Sequence, residues 1–119
     1  MPQINLDGFG YNEFITKTGA YTVVQADSGT VINVTATATI TLPATTVGYS
    51  PIIRVGKEGI VLTIAPASVD YIAGAQLTNV DNKALIFTNQ PAGSYVALVA
   101  DGTNGWVIQR LNGVATKQP

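Results

Sequence analysis

The chain has 119 residues, seven acidic against six basic side chains, a formal net charge of -1, and neither cysteine nor histidine. That length builds one modest core, and the missing residue types exclude disulfides, thiol nucleophiles, Ser-His-Asp and Cys-His catalysis and nearly every zinc site. Charged residues are 11% and hydrophobic residues 46% of the chain, against about 25% charged in an average soluble domain; with no basic excess, neither nucleic acid nor an anionic membrane surface is an expected partner.

The opening MPQINLDGFGY lacks the basic and apolar regions of a signal peptide. Met1 to Ala20 mixes Gly8, Gly10 and Gly19 with Ile4, Leu6, Phe9, Tyr11, Phe14 and Ile15 in no clean period. Two readings stand: an edge strand plus loops packed on the same domain, or an extended arm that buries its apolar side chains against another subunit. From Tyr21 onward the period is two. Tyr21 to Gln25, Thr30 to Thr35, Thr37 to Leu42, Ile52 to Val55, Ile60 to Ile64, Ala84 to Thr88, Tyr95 to Val99 and Trp106 to Leu111 read as strands rich in Val, Ile and Thr. In the third, Ala38, Ile40 and Leu42 share one face and Thr37, Thr39 and Thr41 the other. Asp27-Ser28-Gly29, VGYSP from Val47, GKEG from Gly56, Asp81-Asn82-Lys83 and NQPAG from Asn89 are turns, and the loop from Asp101 to Gly105 closes a hairpin. The longest charge-free stretch, between Asp27 and Arg54, contains Pro43, Gly48 and Pro51 and is a poor membrane helix.

Strands recurring about every ten residues predict an all-β fold, an antiparallel sandwich or barrel of jelly-roll type, with an N-terminal arm over 1–20, a β-domain over 21–114 and a frayed tail over 115–119. A short parallel β-helix is the rival, disfavoured by the lack of a fixed-period repeat.

Catalytic equipment is sparse. Asp7, Glu13, Asp27, Glu58, Asp70, Asp81 and Asp101 are the carboxylates, most beside Gly, Ser or Asn or in a predicted turn, where they bond backbone amides. The loop Asp101-Gly102-Thr103-Asn104-Gly105 is too poor in oxygen ligands for calcium, and no phosphate-binding glycine motif occurs. Tyr49, Tyr71, Tyr95 and Trp106 are a conceivable sugar-stacking set. The expectation is no enzyme, no cofactor and no metal. Low charge and threonine-rich strand faces instead predict a contact surface and a homo-oligomer, expected as a trimer.

The run YTVVQADSGTVINV from Tyr21, then ATITLPA from Ala38, IVLTIAP from Ile60, DYIAG from Asp70, YVALVADG from Tyr95 and GWVI from Gly105 resembles the small β-domains of tailed-phage virion proteins: head decoration (cement) proteins, head fibres and tail fibres. The likeness covers about Tyr21 to Val114. It implies a trimeric structural protein on the capsid exterior, assembled in the host cytoplasm, that bridges subunits of the phage major capsid protein. The N-terminal arm would then touch the shell through Ile4, Leu6, Phe9, Tyr11 and Phe14. The alternative within the same likeness is a tail-fibre or baseplate-associated module that binds a host glycan through Tyr49, Tyr71, Asn79 and Asn89.

Overall fold

Alternating side chains give each strand one face for the core and one for the outside, and two such sheets closed face to face make the protein. The computed structural model describes residues 13–44, 50–68, 70–74, 83–102 and 105–118. In chain order the strands are β1 (Glu13–Lys17), β2 (Tyr21–Thr22), β3 (Thr30–Val34), β4 (Ala38–Thr41), β5 (Ile52–Val55), β6 (Val61–Ala65), β7 (Tyr71–Ala73), β8 (Leu85–Thr88), β9 (Tyr95–Ala100), β10 (Gly105–Asn112) and β11 (Thr116–Lys117). A 3-10 turn, Gln25–Asp27, lies between β2 and β3. One sheet has the order β1-β3-β5-β9-β10-β7 and the other β11-β8-β6-β4-β2. Among the described residues no helix is long and apolar enough to cross a membrane.

The all-β expectation holds, but both sheets are mixed. β1, β3 and β5 stack in parallel in the first sheet, and β2, β4 and β6 stack in parallel in the second. The first half of the chain therefore winds back and forth between the sheets, each successive strand pair forming one coil. The corners stack as well: Thr35 N donates to Lys17 O at 3.1 Å and Gly56 N to Val34 O at 2.7 Å. Gly29, at φ 76°, donates its N–H to Ser50 O at 3.0 Å, and Ser50 N donates to Ser28 Oγ at the same distance. In the second half β8 lies antiparallel to β6, β9 to β5, β10 to β9 and β11 to β8, while β7 pairs in parallel with β10. An antiparallel jelly roll thus does not describe the pairing. The reason the winding left no visible repeat is its unequal spacing: Glu13 stacks on Thr30 but Val31 on Ile52, because the corner between β4 and β5 is longer than that between β2 and β3.

The core is what the alternation predicted. Ile32, Val34, Ile53, Val55, Val96 and Leu98 of the first sheet meet Ile40, Leu42, Leu62, Ile64, Leu85 and Phe87 of the second, and Trp106 is fully buried among them. Two domain boundaries need correction. β1 falls inside the segment read as an arm, yet it is an edge strand of the domain itself, with Ile15 packed on the core. The tail read as frayed contains β11, whose Thr116 and Lys117 pair with Ile86 and Leu85. Gln118 N donates to Ala84 O at 2.8 Å and Gln118 Oε1 accepts from Ala84 N at 3.0 Å, while Lys117 Nζ donates to Ile72 O, tying the second sheet to β7 of the first. Burial lowers the Lys117 pKa below its ordinary value.

Candidate interaction surface

The two outer faces differ in chemistry. On the second sheet, Thr39, Thr63, Ile86 and Thr116 stand in register across β4, β6, β8 and β11, a hydroxyl-rich face that water can solvate. The first sheet carries two adjacent rows of another kind. Phe14, Val31, Ile52 and Ala97 are in register across β1, β3, β5 and β9, and Arg110 of β10 stands opposite Ala97. The next row is Thr16, Asn33, Arg54 and Tyr95. Parallel stacking with identical facing creates such rows, because register fixes which side chains share a face.

Within the second row Arg54 Nη1 donates to Asn33 Oδ1 at 2.6 Å, and Asn33 Nδ2 donates to Thr16 Oγ1 at 3.4 Å. Asn33 is only 7% exposed, so its amide is satisfied within the row rather than by bulk water. The Arg54 guanidinium lies 5.9 Å from the centre of the Phe14 ring, at the outer limit of a cation–π contact. Gly56 makes the amide's position possible: a Cβ there would sit 2.5 Å from Asn33 Oδ1.

A groove of about 620 Å³ runs over these rows, lined by Phe14, Val31, Ile52, Arg54, Tyr95, Ala97, Gln109 and Arg110. Its far wall exists because the pairing of β10 with β9 shifts between Ile108 and Arg110. An extra residue in one strand of a pair bends it and re-aims side chains, and here Gln109 and Arg110 both reach the groove. Phe14 is 54% exposed at the opposite rim, and Val107, opposite Val99 further along β10, is 41% exposed.

Of the side chains expected to touch a partner, Phe14 stands on this groove; Ile4, Leu6, Phe9 and Tyr11 lie outside the described residues. The sugar-stacking set does not assemble. Trp106 is fully buried, the Tyr71 ring lies where a Cβ on Gly105 would be, Tyr95 stands on the groove instead, and Tyr49, like Asn79 of the glycan-binding alternative, lies outside the described residues. Asn89, at φ 55°, holds a turn. Two of the described acids hold local turns: Asp27 Oδ2 accepts from Tyr21 Oη at 2.6 Å and from Val24 N at 2.9 Å, and Asp101 Oδ1 accepts from Gly105 N at 3.1 Å. Among the described residues no three metal-ligating side chains cluster. Arg54, Arg110 and Val31 were not singled out from sequence, and Tyr95 only as one of the sugar-stacking aromatics. The available signal was apolar character on both faces, as in Tyr95 to Ala100 and Thr30 to Val34, the pattern of a strand covered on both sides. No protein-family model, curated protein or solved structure matches the chain.

Proposed function

We propose that the protein is a capsid decoration (cement) protein that binds the assembled head of a tailed phage as a homotrimer and bridges subunits of the major capsid protein. The observation that carries this reading is the outer face of the first sheet, an apolar row with exposed Phe14 beside two arginines, on a chain whose described carboxylates are spent on turns or stand apart. A face of that kind is a contact surface rather than a catalytic cleft. The resemblance of Tyr21 to Val114 to virion β-domains supplies the context. The first coil, with the outer edges of β1 and β2 lacking a strand partner among the described residues, is where copies of the chain meet each other.

The mechanism is multivalent. Three equivalent contacts at a three-fold point of the shell raise avidity over any single contact. Ile4, Leu6, Phe9, Tyr11 and Phe14 supply apolar anchors from the N-terminal segment to the shell. Because the protein binds assembled subunits and not dissociated ones, occupancy stabilises the shell by mass action. Heating emptied heads with and without saturating protein tests this: decorated heads break at a higher temperature, and an unchanged breaking temperature contradicts the reading.

A further inference from the structure

The groove over the first sheet holds two guanidinium groups and no carboxylate, and its lining is otherwise aliphatic, aromatic or amide. Neither Arg54 nor Arg110 forms an ion pair with a described residue; Arg54 is held by the Asn33 amide and by the Phe14 ring. We propose that this groove is the docking site for an acidic, apolar-flanked peptide segment of the shell protein, its carboxylate set between Arg54 and Arg110 and its apolar neighbours against Phe14, Val31 and Ile52. This rests on the capsid-binding reading and names the partner's chemistry at that site.

The charges select the occupant. A guanidinium in an apolar, partly desolvated groove binds a carboxylate through a pair of N–H donors. Arg54 is pre-oriented for this, because its Nη1 bond to Asn33 at 2.6 Å removes rotamer freedom before any partner arrives. A second copy of the chain is a poor source of the anion. Among its described carboxylates Asp27 and Asp70 are buried, Asp101 is bonded within its hairpin loop, and only Glu13 and Glu58 are exposed. A glycan is disfavoured for a different reason: the Phe14 ring faces the Arg54 guanidinium, which leaves that face poorly placed for stacking on a sugar. The row Phe14, Val31, Ile52, Ala97 spans four strands, about 14 Å at the usual strand spacing, room for roughly four extended residues.

The test compares wild type with Arg110→Gln, Arg54→Gln and the double variant by quantitative co-sedimentation with emptied heads, across a range of ionic strengths. Arg110 is exposed and outside the core, so its substitution leaves folding intact. The double variant is expected to bind at least ~10-fold more weakly and with a shallower salt dependence than wild type, with its oligomer mass unchanged. Arg54→Lys, which keeps charge but not the fork, falls between. If wild type binds and the double variant binds equally well, this inference is wrong while the decoration reading stands. If wild type itself fails to bind heads, the decoration reading is wrong. Loss of the oligomer in the double variant makes the groove a contact between copies and overturns the inference, as does binding of acidic oligosaccharides on an array in place of heads.

Discussion

Tyr21 Oη donates to Asp27 Oδ2 at 2.6 Å, and the titration of Tyr21 is a local readout of folding. Burial, then the hydrogen bond to Asp27, then the negative charge of that carboxylate push the Tyr21 pKa from 10.0 up to about 12. The unfolded chain therefore loses this proton first as pH rises. The contribution is whole below pH 10 and is lost as pH climbs to about 12. Tyr21→Phe should accordingly flatten the fall of stability over that window, followed by urea unfolding at a series of alkaline pH values; an unaltered profile counts against the pairing. Gly56 offers a second test. Alanine there displaces the Asn33 amide and is expected to cost about 1–3 kcal/mol. In an Asn33→Ala background the same substitution should cost clearly less, since the clashing amide is gone. Neither dependence was visible in the sequence, where Asn33 is one residue in a strand and Gly56 one turn glycine among several. The close approach arises only because β3 and β5 stack in parallel.

At the level of the elements, periodicity located the long strands because burial on one side imposes it. Ile60, Leu62 and Ile64 face inward as their spacing required, and the hairpin from Tyr95 to Leu111 formed around its glycine loop. Strand direction was not legible. Parallel and antiparallel ladders use the same alternation, and unequal corners erased the repeat that marks a winding chain. β7 and β11 are short, so they were missed, and β1 was read only as one of two alternatives, an edge strand within 1–20; their identity comes from partners already in place. Of the candidate surface, Phe14 was read from its apolar character, whereas Arg54 and Arg110 become a site only once register and the irregularity in β10 bring them to one groove. The position of β1 carries a prediction. Deleting residues 1–12 retains it, and should leave the urea midpoint and oligomer mass unchanged while weakening attachment to heads. Deleting 1–20 strips β1 from β3, uncovers Val31 and Ile32, and should lower the midpoint. Equal stability of the two truncations would mean that β1 adds nothing to the sheet.

For the whole molecule, the two outer faces divide the work that charge does in an ordinary soluble domain. The threonine face keeps contact with water, and the arginine-edged apolar face is the one proposed to meet a partner. With a net charge of -1, long-range repulsion does little to hold copies apart, which favours a compact oligomer over a dispersed monomer. On the proposed reading, avidity lets modest contacts hold a large shell. Sedimentation of the purified chain with emptied heads of the tailed phage proposed to carry it measures that claim directly. Saturable pelleting with the heads, at a fixed ratio of three chains per three-fold position, is the expected result; a chain left wholly in the supernatant at every concentration would contradict the account.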